Sequence, residues 1–240
     1  MRSLALVVLV GCAHGQLTTA DQVLDRYKQA LGGVDAIAST KYQTVHAEIM
    51  RSDQPGKLTV VSYAEPFKQR FEVTRPDGTK TVSGFDGTVS WTINPDGGAE
   101  IDTSTPLESV RRDADLQYAL HQPDYFQKLE LAGVTEFEGK RCYWLHGTTH
   151  WGKDNNQFYD VDTGLLRGYR FQSDDKSSTA TVLVFDDYKR VGPRLVPTRM
   201  TIRSGAATRT FVATSVTDDP LPDSLFELPD PVKALLPARG

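Results

Sequence analysis

The amino-acid sequence predicts a mainly β (α+β) protein of about eleven antiparallel strands, with an N-terminal helix and one helical insert. Three observations support this prediction. Short segments in which apolar and polar residues alternate recur along the chain, turn-forming residues separate them, and only two stretches space their apolar residues as a helix does. The 240 residues show no linker or change of composition, so we predict one domain over residues 16–240.

The clearest group of strands lies at residues 69–93. Apolar and polar residues alternate in the first strand, residues 69–75, and again in the third, residues 88–93. Pro76-Asp77-Gly78 and Asp86-Gly87 are typical of tight turns, because proline presets φ, aspartate bonds its own turn and glycine adopts positive φ. We therefore predict a three-stranded meander with one apolar face.

The remaining strands are predicted on either side of this meander. Val182 to Phe185 has no alternation, so its strand is predicted to be central and covered on both faces. Pro197 indicates a bulge or an edge. Either a closed barrel or an unclosed, strongly curved sheet fits these elements. The predicted strands outside the meander are residues 42–51, 57–64, 131–138, 140–147, 156–161, 165–172, 179–188, 195–204 and 207–216.

Two helical regions are predicted. Thr19 and Gln22 form a capping box at the start of the first helix, which Gly32-Gly33 ends. The second region is an insert over residues 105–129, with Thr105 as N-cap, Pro106 at the first helical position and Glu108 reaching back. A second short helix is predicted from Pro123 to Leu129. The apolar face of the insert is Leu107, Val110, Ala114 and Tyr118.

The first fifteen residues have the pattern of a signal peptide, with Arg2 before a short apolar run. Two cleavage sites are open. Leu9-Val10-Gly11-Cys12 has the form of a lipobox, in which Cys12 becomes the lipidated first residue. Cleavage before Gln16 would instead release an unlipidated chain. Either way Cys142 has no intramolecular partner, and we predict a buried thiol.

Composition restricts the function. The net charge is −4 and the pI near 5.7, with basic residues scattered, so the chain has no electrostatic footprint for nucleic acid. No apolar run is long enough to cross a bilayer, and we expect membrane contact only through a lipid anchor on Cys12. No nucleotide-binding or hydrolase motif occurs, so we expect no enzyme activity and no cofactor.

His146 and His150 are the only candidates for a metal centre. They lie close in sequence, with Asp154 nearby, but at a strand end and in a glycine-containing loop. Zinc needs side chains that converge from a fixed frame, and a catalytic zinc uses three protein ligands. We therefore predict no metal, and a metal-dependent hydrolase at His146/His150 is a weak alternative.

The apolar faces of the strands are the remaining candidates for a site. Alternation alone cannot distinguish a filled core from an apolar cavity, so both interpretations are open. The residues predicted to share the inner surface are Val45, Phe71, Val73, Val89, Trp91, Trp144, Phe171, Phe185 and Phe211.

The meander also carries a family resemblance, in a proline-aromatic pair, a strand, P-D-G, a second strand and D-G-x-x-x-W. With these residues the chain resembles the outer-membrane lipoprotein-sorting carriers (LolA/LolB-like). The endings at residues 159–166, 187–192, 196–200 and 225–229 are similar too. The matching residues are Pro66, Phe67, Phe71, Pro76, Asp77, Gly78, Asp86, Gly87 and Trp91.

The resemblance implies an unclosed half-barrel whose insert is a lid over a concave cavity for acyl chains. It further implies a carrier or receptor for lipids or lipoproteins, in the periplasm or on the outer membrane of a Gram-negative-type bacterium, with an envelope protein as a further partner. A sensor or interaction module on the same fold is the alternative. The chain departs from the pattern at Glu65, where the carriers have an arginine that holds the lid, so an altered latch is expected.

Overall fold

One antiparallel sheet of thirteen strands forms the body of the protein. A computed structural model describes residues 16–50, 56–63, 67–171 and 180–237. In chain order the elements are α1 (Ala20–Leu31), α2 (Val34–Ala38), β1 (Tyr42–Met50), β2 (Gly56–Tyr63), β3 (Lys68–Thr74), β4 (Lys80–Phe85), β5 (Ser90–Ile93), β6 (Ala99–Ile101), α3 (Leu107–Ala114), α4 (Tyr118–His121), a 3-10 turn (Gln122–Tyr125), β7 (Phe126–Phe137), β8 (Lys140–Thr149), β9 (Asp154–Asp160), β10 (Leu166–Phe171), β11 (Thr181–Val191), β12 (Arg194–Ser204), β13 (Ala207–Thr217), a second 3-10 turn (Asp223–Phe226) and α5 (Asp230–Lys233).

The sheet is not closed. Its strand order is β6-β5-β4-β3-β2-β1-β13-β12-β11-β10-β9-β8-β7, so the chain's two ends meet in the middle, where β1 pairs with β13. The mainly β, unclosed architecture is confirmed, but the described residues form thirteen strands rather than about eleven. The short β6 was not predicted, because three residues show too little alternation to mark a strand.

The two turns of the meander form as the sequence predicts. Asp77 accepts hydrogen bonds from the backbone N–H and hydroxyl of Thr79, at 2.9 and 2.7 Å. Gly78 adopts φ +84°. Asp86 accepts three bonds in the same way, from the N–H and hydroxyl of Thr88 and the N–H of Val89, each at 2.8 Å. These turns set the register of β3, β4 and β5.

Helix α1 defines the inner face of the sheet, which is the face against which it packs. The predicted capping box is present, and Gly32 ends the helix at φ +122°. Val23 and Leu24 are 1% and 3% exposed and pack in one cluster with Leu145 and Tyr159 of β8 and β9. The helix therefore covers the inner face of β8 and β9 and does not cover that of β1, β2 and β13.

The insert is less helical than predicted. Its first helix begins after Pro106, which is itself the N-cap, and no side chain caps it. Thr105 was predicted as the N-cap, but Asp102 takes the N–H groups of Ser104 and Thr105 into its own turn, at 2.9 and 3.1 Å. The predicted helix from Pro123 to Leu129 is wrong, because the chain leaves a 3-10 turn at Tyr125 and joins β7.

A buried carboxylate holds the insert together. Asp115 Oδ1 accepts from the N–H of Gln117 at 2.9 Å. Its Oδ2 accepts from the hydroxyl of Tyr125 at 2.8 Å and lies 2.9 Å from His121 Nδ1. Gln117 in turn donates to the carbonyls of Ala38 and Thr40, which ties the insert to α2. The insert is thus anchored to the body by polar bonds that are shielded from water.

The outer face of the sheet has its own apolar cover. Val184 of β11 packs there with Phe137, Cys142 and Phe158, while its neighbour Phe185 packs on the inner face. β11 is therefore central and apolar on both faces, as predicted. Pro197 lies in central β12 rather than at an edge, in a part of the strand that pairs with β11 before the pairing with β13 begins at Arg199.

Candidate functional site

A cavity of about 430 Å³ lies between the inner face of the sheet and the insert. Its size is within the range of about 300–1,000 Å³ that is usual for small-molecule sites. Four groups of elements contribute side chains: the early strands, the late strands, helix α1 and the insert. The lining residues are Tyr27, Gln43, Val45, Ala47, Leu58, Val60, Ser62, Gln69, Asp113, Asp115, Leu116, Tyr118, Leu166, Tyr169, Phe185, Tyr188, Pro197, Thr198, Met200, Phe211 and Ala213.

One wall of the cavity is apolar. Val45 pairs with Val60, and in the late strands Met200 pairs with Phe211, so these side chains stand in rows across neighbouring strands. Ala47 pairs with Ala213 where β1 and β13 meet. Small residues at this junction leave room between the flanking rows. The wall can therefore bury an apolar chain at about 25 cal/mol per Å² of contact.

Four tyrosines, contributed by α1, the insert, β10 and β11, also line the cavity. Burial raises the pKa of Tyr27, Tyr118, Tyr169 and Tyr188 above the ordinary value, so all four hydroxyls are neutral at physiological pH. The hydroxyl of Tyr188 donates to the carbonyl of Leu166 at 2.7 Å. The site is therefore amphipathic, because its lining combines apolar side chains with phenolic hydroxyls.

The structure places the predicted inner-surface residues on both faces of the sheet. Val45, Phe185 and Phe211 line the cavity. Phe71, Val73 and Phe171 share the inner face by register, because they pair with or alternate beside lining residues. Trp91 and Trp144 lie on the outer face, and Val89 lies in the turn before β5.

The register explains the two tryptophans. Trp91 pairs with Gly84, and Gly84 pairs with Arg70, whose side chain points away from that of Phe71. Trp144 pairs with Phe158 of the outer cluster. Their prediction as inner-surface residues is corrected: each belongs to the outer apolar layer. Trp91 is 2% exposed. The C-terminal 3-10 turn and α5 contact β3 and β6 in the same part of the sheet.

The predicted lid face is only partly turned to the cavity. Of its four residues Tyr118 lines the cavity, whereas Ala114 is buried and Val110 half-buried. Leu107 is 38% exposed. The insert contributes Asp113 and Leu116 as well, which the helical spacing did not single out.

Several lining residues were missed because their signals are ambiguous. Tyr27 has the helical spacing of the apolar residues Val23 and Leu24, and this spacing does not show that its hydroxyl reaches a cavity. Tyr169 and Tyr188 lie at alternating positions in strands that also bury a filled core. The hydroxyl of a buried tyrosine needs a polar partner, so tyrosines at core-facing positions are the signal that the sequence alone offers.

Glu65 and Cys12 lie outside the described residues, as does the predicted signal peptide. The first described residue beyond Glu65 is Phe67, whose ring packs edge-on against the His121 ring of the insert, with ring centroids 5.9 Å apart. The connection between β2 and β3 therefore contacts the insert through an aromatic pair. The latch at Glu65 stays a prediction.

His146 and His150 do not converge on a common centre. His146 Nδ1 is 3.2 Å from the side-chain oxygen of Asn156, which also accepts from Trp144. His150 lies in the turn after β8, where its backbone N–H donates to Tyr125. Within the described ranges no group of three or more His, Cys, Asp or Glu residues could hold a metal ion.

An unclosed antiparallel sheet that holds a mixed apolar and phenolic cavity under a helical insert defines the class of protein. In the part of the chain that the structure describes, no helix is long and apolar enough to cross a membrane. No protein-family model matches the sequence. The search of curated proteins also gives no match.

Solved structures do match. A DUF1329 family protein from Desulfovibrio piger is 16% identical, with a TM-score of 0.61 over 86% of this chain and 96% of the other. A LolA superfamily protein from Nitrosomonas europaea is 13% identical, with a TM-score of 0.61 over 89% and 99%. A putative outer membrane lipoprotein-sorting protein domain from Vibrio parahaemolyticus is 9% identical, with a TM-score of 0.54 over 82% and 92%. The resemblance to the sorting carriers is thus confirmed at the level of the fold, as that of a divergent chain.

Proposed function

We propose that this protein binds the acyl chain of a lipid or lipoprotein non-covalently in the cavity and acts as a carrier or receptor of the bacterial cell envelope. The observation that carries the proposal is the continuous apolar wall of Val45, Val60, Met200 and Phe211 on an otherwise open sheet face. Contact with an apolar ligand removes such a surface from water, and this burial favours binding.

The cavity suits binding better than catalysis. Its described lining contains no histidine, cysteine or serine beside a base: Ser62 Oγ accepts from the amide of Gln69 at 3.3 Å. The tyrosines are neutral because burial raises each pKa, so none is a phenolate nucleophile. Burial of an acyl chain needs none of these groups, since the hydrophobic effect is non-directional.

The insert would cover the bound chain. Tyr118 and Leu116 reach the cavity from the insert, while Asp115 and Gln117 anchor that segment to the body. An envelope protein partner would be needed to load or unload the lipid, because the chain carries no nucleotide-binding motif. We place the protein in the periplasm, or on the outer membrane if Cys12 is lipidated.

A pair of variants on one strand tests the proposal. Val60→Asp puts a carboxylate into the apolar wall, whereas Thr59→Asp puts it on the opposite face, where the Thr59 hydroxyl now bonds His46 at 3.1 Å. Titration with a fluorescent acyl probe should show saturable binding to the wild type and to Thr59→Asp. It should be lost in Val60→Asp, because an unpaired charge in an apolar site costs several kcal/mol.

The refuting results are equally specific. If the wild type shows no saturable binding, the proposal is wrong. If Val60→Asp binds the probe as the wild type does, the probe sits elsewhere and the cavity is not the site. Circular dichroism of both variants confirms that the sheet is intact before binding is compared.

A further inference from the structure

The charged side chains among the described lining residues have one sign. Of the described lining residues Asp113 and Asp115 are acidic, and none is Lys, Arg or His. An anion that moves from water into such a site loses its hydration without gaining a positive partner, and it meets carboxylates of its own sign. The electrostatics of the cavity therefore oppose an anionic head group.

Two guanidinium groups that contact lining residues, those of Arg112 and Arg194, already have carboxylate partners. Arg112 donates from Nε and Nη2 to one oxygen of Asp113, at 3.0 and 2.7 Å, and its guanidinium lies 5.1 Å from the centre of the Trp151 ring. Arg194 donates to Asp218 at 2.6 Å. Each cation thus has its own carboxylate, and neither would serve as the counter-ion of a bound anion.

Tyrosine hydroxyl groups are the other polar feature of the cavity lining. Tyr27, Tyr118 and Tyr169 each carry a phenolic O–H, which can donate one hydrogen bond and accept another. Burial raises the pKa of all three, so these protons are retained. Asp113 has further acceptor capacity, because a carboxylate has about four lone-pair sites and Arg112 bonds only one oxygen.

We infer that the ligand is an acyl chain whose head group is uncharged and bears hydroxyl groups, in the chemical class of an acylglycerol. The inference rests on the proposed function and deepens it by naming the ligand class. An alcohol both donates and accepts, so it complements the phenolic hydroxyls and the Asp113 carboxylate together. A fatty-acid carboxylate or a phosphate dianion only accepts, so it cannot donate to the Asp113 carboxylate, and it finds no unpaired cation among the described lining residues.

Isothermal titration calorimetry with three amphiphiles of one chain length tests the ligand class. The full chain is titrated with monododecanoylglycerol, dodecanoate and dodecyltrimethylammonium, at mildly alkaline pH and below their micelle concentrations. We expect the acylglycerol to bind at least about tenfold more tightly than dodecanoate. Dodecanoate has no hydrogen-bond donor for the Asp113 carboxylate, and its own charge loses its hydration in the cavity.

The outcomes separate a failure of the inferred ligand class from a failure of the proposed acyl-binding function. Equal or tighter binding of dodecanoate overturns the ligand class but leaves the acyl-binding function standing. Tighter binding of the ammonium amphiphile than of the acylglycerol shows that charge alone selects the ligand, and overturns the role of the hydroxyls. If none of the three binds, the proposed function itself fails.

A variant and its matched control locate the selectivity. Asp113→Asn removes a carboxylate whose side chain is 63% exposed and frees Arg112, so it should narrow the preference for the acylglycerol over dodecanoate several-fold. Asp25→Asn breaks a comparable surface pair with Lys28 on α1, away from the cavity, and should leave the preference unchanged. An unchanged preference in Asp113→Asn, or an equal change in the control, would overturn the role of Asp113.

Discussion

Filling the cavity with a larger side chain should weaken acyl-chain binding strongly without unfolding the protein. Ala213 lines the cavity where β13 pairs with β1, and its partner Ala47 is equally small. Ala213→Phe would project a ring into the space that the acyl chain is proposed to occupy. If the ring removes about 100 Å² of apolar contact, binding weakens by about 2.5 kcal/mol, which is about 70-fold in Kd.

The control uses the same substitution on the same strand. Ala207 is exposed at the start of β13, beside its hairpin turn, so Ala207→Phe adds an equal ring outside the cavity. Fluorescent acyl-probe titration should show unchanged affinity in Ala207→Phe and a large loss in Ala213→Phe. Thermal unfolding should show that Ala213→Phe is destabilised by at most about 1–3 kcal/mol relative to the wild type, which is the usual cost of overpacking. Wild-type affinity in a folded Ala213→Phe would refute the assignment of the site.

Three further predictions concern the elements that position the cavity. Gly84→Ala should destabilise the sheet by about 1–3 kcal/mol, because a Cβ there would lie 2.5 Å from Cζ2 of Trp91; chemical denaturation should show most of this loss relieved when Trp91→Leu is added. Tyr125→Phe should cost about 1–3 kcal/mol and loosen the insert, since buried Asp115 loses a donor, and faster amide hydrogen exchange at residues 115–121, with none at β12, is the expected readout. Hydrogen bonds from Thr105 and Ser104 lower the pKa of Asp102 from 3.8 to about 2, so the stability it contributes is present above its unfolded pKa and is lost as the pH falls towards 2; Asp102→Asn should flatten the acid limb of the thermal-unfolding profile over that window, and an unchanged limb contradicts the assignment.

Local signals in the sequence predicted the elements that depend on neighbouring residues. The capping box of Thr19 and Gln22 and the Asp77 and Asp86 turns form because their hydrogen bonds span only two or three residues. At the insert, the same kind of signal failed. Asp102 holds the N–H groups of Ser104 and Thr105 in a turn of its own, and the N-cap is Pro106.

The face on which a strand residue lies is set by pairing that local patterns do not reveal. Trp91 and Phe71 belong to strands with the same alternation, yet the register of β3, β4 and β5 puts them on opposite faces. The outer face is apolar too, since Phe137, Phe158 and Val184 form a cluster there. Alternation therefore predicted the strands, and only the register could separate the cavity wall from the outer layer.

The most direct test of acyl binding is to identify what the protein carries from the cell. The full chain, with residues 1–15 retained, should be expressed in a Gram-negative host, purified without detergent, and extracted with organic solvent for mass spectrometry beside Ala213→Phe. We expect an acyl lipid in near-stoichiometric amount from the wild type, with an uncharged, hydroxyl-bearing head group, and little from the variant. Wild-type protein that yields no lipid, and that also fails to take up an acyl probe in solution, would contradict the proposal that this cavity binds acyl chains.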